Sequence, residues 1–544
     1  MVAFTKVRSA TMCVVMVALL LSGCTSLRDY VHNGLKVGPN HGVPEAAAAY
    51  DWIDAADERV IQGAADLGQW WTVFQDPLLD ELIAGAQIHN LTLREAGFRV
   101  LQARAQRGIA HGNLFPQSQD FSGQFRRQAS PAGPDVPITI SGEDIAEPIE
   151  LTLRSGNNFF SNWSYGFNLA WEIDFWGRYR RAVIAAEHSL EASCAGYDEV
   201  MVTMLADIAS TYVQIRTLET RLEYVRQNIV QQQRISGIIR QLHELGDPRP
   251  ERRFEQPRRY HVDQLESILA QTEAAVPLLE AELREAYNRM CVLLGTPPRD
   301  LRLEFPPGRI PVTGPQVVVG IPADLLRRRP DIRRAEQLVA AQAEQIGIAE
   351  AELYPSFAIA GNLGYSAPEF QNLFTNRAFN AGVGPSFQWN ILNYGRIRNN
   401  VRYQDARFRE LLVNYQQMVL LANAEVENGL VRFLKAQERA ASLDRSVFHM
   451  QRAVAGIDAA RELRGADANQ IAIITQTKVQ QQDLQAQAHG AIALGLIQVY
   501  RALGGGWEVA PMPDQLEWIE PRLAEPEPAE SSPVETEPLP ASAD

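Results

Sequence analysis

The chain carries one unit twice, and this duplication limits its fold more than any other feature, because a long-period repeat dictates architecture before single elements are considered. Gly108-Ile109-Ala110 and Leu114-Phe115-Pro116 recur as Gly347-Ile348-Ala349 and Leu353-Tyr354-Pro355, an offset of 239 residues. Trp171-Glu172-Ile173-Asp174-Phe175-Trp176-Gly177-Arg178 recurs as Trp389-Asn390-Ile391-Leu392-Asn393-Tyr394-Gly395-Arg396 at an offset of 218, and Leu294-Gly295 recurs as Leu503-Gly504 at 209. The shrinking offset places 21 extra residues of the first copy between its proline and its tryptophan, and nine more between its Gly-Arg and its closing Leu-Gly. Each copy reads as helix, strand, loop, strand, very long helix, turn and long helix.

The strands have one apolar face. Trp163, Tyr165, Phe167, Leu169, Trp171, Ile173 and Phe175 occupy the odd positions, with Asn162, Ser164, Gly166, Asn168, Ala170, Glu172 and Asp174 between them. In the second copy Phe357, Ile359, Gly361, Leu363 and Tyr365 form one expected strand, and Phe379, Ala381, Val383, Phe387, Trp389 and Ile391 the other. Such alternation also suits a half-buried hairpin of a soluble sandwich. Three details favour a membrane barrel with a watery lumen: aromatic residues end the apolar faces, the opposite faces hold almost no aliphatic residue, and each strand runs ~10 residues, enough to cross a bilayer when tilted. Odd side chains are then expected to face lipid and even ones the pore. Four strands cannot close, and lipid tolerates no open sheet edge, so two, three or four chains must combine into a barrel of at least about 8 strands.

The helices extend this pore. No proline occurs from Arg178 to Leu245, and Met201, Leu205, Ile208, Tyr212, Ile215, Leu218, Leu222, Val225 and Ile229 recur at a mean spacing of 3.5, that of a coiled-coil seam. Such a helix is ~100 Å long, beyond any globular domain. A second proline-free stretch separates Pro385 from Pro511. A barrel strand running into such a helix predicts a membrane pore continued by a helical tube, with Trp176-Gly177-Arg178 and Tyr394-Gly395-Arg396 as the sheet-to-helix junctions.

The N-terminus reads as an export signal, residues 1–23: Lys6 and Arg8, an apolar run from Met12 to Leu21, then Leu21-Ser22-Gly23-Cys24. That tetrapeptide is a lipobox, which predicts acylation of Cys24; an ordinary signal peptide containing a cysteine is the plainer reading. Cys194 and Cys291 remain, in helical pattern among apolar neighbours, and packed free thiols are expected there. The formal charge of −14 is concentrated at the C-terminus, where residues 508–544 hold ten acids and one arginine in a Pro- and Glu-rich segment expected to be disordered. Nothing points to nucleic-acid binding. The nine histidines are scattered, no Cys-x-x-Cys or His-Glu-x-x-His occurs, and Gly504-Gly505-Gly506 lacks the Lys-Ser/Thr of a phosphate loop, so no enzyme, metal or cofactor site is expected. A lipid-anchored coiled-coil scaffold explains the helices and Cys24 but leaves four aromatic-edged strands without a purpose.

At these residues the sequence resembles the TolC-type outer-membrane efflux proteins, in particular the NodT-like lipoproteins. The resemblance rests on the lipobox, on Asp76-Pro77-Leu78 with Asn90, on the stretch from Trp171 to Arg178, on Arg328-Arg329-Pro330-Asp331-Ile332-Arg333 with Ala335-Glu336, and on Ala502-Leu503-Gly504-Gly505-Gly506-Trp507. It covers residues 24–507 and implies a homotrimer with a 12-stranded barrel and a 12-helix periplasmic tunnel. It also implies a non-enzymatic exit duct in the outer membrane for drugs, small molecules or metal ions. The partners implied are a periplasmic adaptor and an inner-membrane transporter such as an RND pump. The exit duct of a type I protein-secretion system is the alternative within this class. The chain divides accordingly into a lipidated segment (24–75), repeat one (76–300), a linker (301–321), repeat two (322–507) and the acidic tail.

The resemblance further places a gate at the helix tips. At the second tip Gly465 matches the family's turn glycine and Asp467 follows it, but the usual acidic positions are Ala472 and Thr475. At the first tip the repeat aligns Asp263 with the motif acid, whereas counting back from Val276-Pro277 aligns His261. The extra residues there carry Gly246, Arg252, Arg253, Arg258 and Arg259, a basic tip able either to dock an adaptor or to form a solvated turn.

Overall fold

The computed structural model describes residues 27–509 except 41, 43, 48–50, 64–66, 130–135, 141–148, 154–158, 246–258, 304, 307, 320–327 and 463–467. Among the described residues α1 (Leu27–His32), β1 (Val60–Gln62), a 3-10 helix (Trp70–Phe74) and α2 (Pro77–His89) precede the first repeat body. That body runs α3 (Leu91–Gly112), β2 (Ser118–Ala129), β3 (Val136–Ile140), β4 (Ile149–Leu153), β5 (Phe159–Ile173), α4 (Arg178–Leu245) and α5 (Arg259–Leu293). After β6 (Val317–Val319) the second runs α6 (Pro330–Ala351), β7 (Ser356–Ala367), β8 (Phe379–Gln388), α7 (Arg396–Glu462) and α8 (Ala468–Ala502). The duplicated order matches the sequence pattern. The 21-residue excess of the first copy contains β3 and β4, which pair with each other in a separate antiparallel ribbon.

One antiparallel sheet joins the copies in the order β2-β5-β7-β8. Its register puts odd opposite odd throughout, as in Phe121↔Phe167, Tyr165↔Tyr365 and Leu363↔Ala381. A one-residue slip would mix the faces, so the alternation itself locks the register. The odd face is aromatic: the ring centroids of Phe125 and Trp163 lie 4.3 Å apart, those of Tyr165 and Tyr365 5.3 Å, and those of Tyr365 and Phe379 5.6 Å. The even face is a polar ladder, with the Asn168 amide donating to Asp120 at 2.9 Å and the Ser366 hydroxyl to Asn162 at 3.0 Å. At the seam between copies Gly166 faces Gly364, and a Cβ on Gly166 would lie 2.8 Å from the Gly364 Cα. β8 ends at Gln388, three residues short of the expected run, where the Ile391 amide turns back to the Trp389 carbonyl; the Trp389 indole donates to the Leu353 carbonyl at 3.0 Å. The first copy repeats that bond, from Trp171 to the Leu114 carbonyl.

The first proline-free stretch is a single helix, α4, of 68 residues, and the second holds α7, of 67 residues, and α8, of 35. Eight of the nine seam residues of α4, Met201 through Val225, are buried, and Ile229 packs against their cluster. That cluster continues around Trp70, Trp71, Phe74, Tyr287 and Leu503, where β1 and β6 pair in parallel. Cys291 is buried and Cys194 half-buried, both as free thiols. Among the described residues no helix is long and apolar enough to cross a membrane, which leaves the sheet as the candidate span.

Candidate functional site: the sheet-to-helix junctions and the helix tips

The first junction is built from the run after β5. Asp174 accepts from the backbone amides of Tyr179 and Arg180 at 3.0 and 2.9 Å, capping α4 where its first amides have no helical partner. Gly177 takes φ +82° and lies under Lys36, whose Cγ would be 2.5 Å from a Cβ added there, so both its conformation and its contact require glycine. The Trp176 indole donates to the Pro355 carbonyl at 2.8 Å and stacks on Tyr354, tying the first copy's junction to the second copy's helix-to-strand turn. Arg178 pairs with Glu172 at 3.6 Å.

A strap formed by residues 27–40 closes over this junction. The Tyr30 hydroxyl donates to the Phe175 carbonyl at 2.7 Å, and its ring lies against Phe175 and Trp176. Arg180 donates to the carbonyls of Gly34 and Leu35 at 2.9 and 2.7 Å. Arg181, with no solvent exposure, donates to the Val37 and Gly38 carbonyls at 2.6 and 2.9 Å and to the Glu344 carboxylate at 2.6 Å. Sequence reasoning missed this pair, since an arginine in a basic run and a glutamate in an alanine-rich helix both read as surface. Farther along, the same chain segment follows α7: the Glu45 carbonyl accepts from Gln416, the Ile53 amide donates to Glu427 and Arg59 pairs with Glu438.

The second junction keeps the left-handed glycine and, within one chain, lacks the cover. Tyr394 and Gly395 have φ of +50° and +80°, and Asn393 accepts from the Gly395 amide at 3.1 Å. Tyr394, the counterpart of Trp176, is 99% exposed. Arg396 opens α7, as Arg178 opens α4.

Cys24 and, of the expected tip residues, Gly246, Arg252, Arg253, Arg258, Gly465 and Asp467 lie outside the described residues. Arg259 and Asp263 are exposed at the start of α5, and His261 is half-buried with its ring 4.0 Å from that of Tyr260. Thr475 points into the chain, buried, its hydroxyl donating to the Ile471 carbonyl at 2.7 Å. Around it Ile239, Val262, Leu265, Ile268, Ile471 and Ala472 form a small apolar cluster separate from the main core. Between the two clusters the interior turns polar: Asn228, Gln232, Ser236, Lys478 and Gln482 are all buried, and Asn228 donates to Gln482 at 2.8 Å.

The motifs from Arg328 to Arg333 and from Ala502 to Trp507 are fasteners. Arg329 is buried, donates to the Ala502 carbonyl at 2.6 Å and pairs with Asp331 and Glu425, joining the start of α6 to the end of α8 and to α7. Gly504, at φ +70°, packs on Arg329 and Pro330. Arg333 lies over the Trp507 ring and pairs at 3.4 Å with Asp198, whose carboxyl burial pushes up to about 6 against the opposing pull of that guanidinium. Asp76 caps α2 and accepts from the Tyr212 hydroxyl at 2.5 Å; burial first, then this bond, pushes that phenol up to about 12.

A sheet with one aromatic and one polar face, running into two paired helical hairpins, defines an outer-membrane channel subunit of the efflux type. Residues 82–249 and 321–505 match the family described as Outer membrane efflux protein, and the chain belongs to that family. It is 29% identical over 496 residues to the pyoverdine export outer membrane protein OpmQ of Pseudomonas aeruginosa, covering 90% of this chain and 95% of that one. It is 28% identical over 432 residues to nodulation protein T of Rhizobium leguminosarum bv. trifolii, covering 79% and 83%. The solved outer-membrane channel OprN superposes with a TM-score of 0.75 at 28% identity, over 87% of this chain and 99% of OprN. The chain is thus an efflux channel of the outer membrane and not an enzyme.

Proposed function

We propose that three copies form a passive duct through which a tripartite pump expels small molecules, gated at the helix tips and docked there by a periplasmic adaptor. The carrying observation is the four-stranded sheet itself: among the described residues β2 and β8 are unpaired edges, the odd face is apolar and the even face is polar. Edge-to-edge pairing of three such sheets satisfies every backbone group without leaving an edge in lipid. Efflux of small molecules is favoured over protein secretion because the similar proteins are named for pyoverdine export, toluene efflux and solvent efflux. For the gate, the small tip cluster, set apart from the main core by a buried polar stretch, supports tips that separate without disturbing the body of the tube. Asp263 and Arg259, exposed beside it, are the described residues placed to meet an adaptor or to line the constriction; Thr475 contributes from within.

The test is reconstitution in a planar bilayer together with cross-linking between Gln119 on β2 of one copy and Phe387 on β8 of the next. A conducting, cross-linked trimer is expected; a chain that gives neither conductance nor a detergent-stable oligomer is a scaffold. The strap leads from the junction back toward Cys24, which supports acylation at the periplasmic leaflet. Cys24→Ala is expected to abolish palmitate labelling while leaving the trimer intact, because the barrel holds the membrane by itself; loss of the trimer would show that the anchor is needed for assembly.

A further inference from the structure

The even face of the four-stranded sheet carries three charges per chain, Asp120 and Arg126 on β2 and Glu172 on β5. Glu172 is neutralised at its own junction, where it pairs with Arg178 at 3.6 Å and accepts from the Tyr179 hydroxyl at 3.0 Å. Asp120 is held by neutral donors: one oxygen accepts from the Asn168 amide at 2.9 Å and the other from the Ser118 hydroxyl at 3.0 Å. Arg126 lies along the same face, its Nε donating back to the Gln124 side-chain oxygen at 3.1 Å. Among the described residues neither Asp120 nor Arg126 has an ion-pair partner.

We propose that β2 gives the pore two opposed charge belts, which sort charged small molecules along the lumen: Asp120 attracts cations near the helical mouth, and Arg126 attracts anions near the outer mouth. Pairing between copies runs through the edges of β2 and β8; it covers backbone groups and leaves the even face on the lumen. The even residues that a neighbouring β8 brings alongside are Asn380, Gly382, Gly384, Ser386 and Gln388, all uncharged, so that strand supplies no counter-ion. The bond from Asn168 also draws the Asp120 carboxylate over β5, inside its own sheet and away from the edge. Magnitudes keep the belts distinct. Six residues of strand separate them by about 20 Å, twice the screening length of about 10 Å at about 0.1 M salt, so neither cancels the other. Three four-stranded sheets, with strands about 4.8 Å apart and tilted about 40°, put the wall roughly 12 Å from the axis, so each belt's field reaches solutes across the lumen.

The proposal rests on the pore reading, and the experiment keeps the two apart. Full-length Ser122→Cys, one even position beyond Asp120, and Gln128→Cys, one beyond Arg126, are reconstituted in lipid vesicles. Each is treated with a cationic (trimethylammonium) or an anionic (sulfonate) methanethiosulfonate, and the rate of labelling is read by mass spectrometry. Wild type, with Cys194 and Cys291 as free thiols, gives the background. A unit charge about 7 Å from the thiol should favour the attracted reagent about fivefold at about 0.01 M salt and hardly at all at about 1 M. The cationic reagent is expected to react faster at position 122 and the anionic one at position 128. Adding Asp120→Asn to the first chain, or Arg126→Gln to the second, should abolish the preference, and Asp120→Glu should keep it. A preference that these substitutions leave unchanged overturns the belts, as does one already missing before they are made, which means that another part of the assembly supplies the counter-charge. Val383→Cys, on the odd face, should resist both reagents. If it reacts as fast as Ser122→Cys, the pore itself is overturned and the belts with it.

Discussion

Arg181→Met is expected to destabilise the folded chain by about 3–5 kcal/mol, the cost of breaking a buried ion pair by removing one partner. Arg181 is fully buried, and its loss leaves the Glu344 carboxylate, 6% exposed, and the carbonyls of Val37 and Gly38 without their donor. A further consequence is local. The strap is fastened by Arg180, Arg181 and Tyr30, so the variant should release residues 27–40 to protease before the helices unfold. Removing both charges in Arg181→Met with Glu344→Met should recover much of the loss, because no isolated charge then remains buried. Denaturant midpoints of the four proteins in the double-mutant cycle measure this. A single variant that loses less than about 1 kcal/mol, the median worth of an exposed pair, would show that the strap is held elsewhere.

Val383→Arg is expected to cost about 2–4 kcal/mol of folding free energy in a bilayer, the penalty for a cation near the midplane on the lipid face. Val383 is 81% exposed near the middle of β8, on the odd face. Asn362→Arg is the control: it is diagonal to Val383 across the β7–β8 pair, on the even face, where Asn362 donates to Asn380 at 3.3 Å. There the effect should stay within about 0.5 kcal/mol, since a wet lumen solvates the new charge. Equal effects at the two positions, read from refolding into lipid vesicles, would refute the assignment of the faces.

Much of the architecture was legible because it is written in short periods. Alternation from Trp163 to Phe175 fixes which side chains share a face, and the 3.5-residue seam from Met201 to Ile229 fixes a helix and its buried stripe, whatever lies far away. The junction residues Gly177 and Gly395 were likewise legible, as the points where one period gives way to the other. The tip was less so. Thr475, a candidate gate position by alignment, is buried, its hydroxyl donating to the Ile471 carbonyl, and its burial could not be read from the sequence. Which face of a tip helix turns outward depends on how three helices pack, and a motif offset carries no information about that.

The sequence alone determined the duplication, the sidedness of the strands, the length of the helices and the requirement that several chains close one barrel, because each follows from local periodicity or from the cost of an unpaired edge in lipid. Tertiary structure decided what fastens these parts. The parallel pairing of β1 with β6, the Arg329 clasp across three helices, and the strap that covers the first junction all join residues distant in the chain. Such contacts have no period. Arg181 and Glu344 look like ordinary surface charges until folding removes water from both, and only then does each become the condition for burying the other.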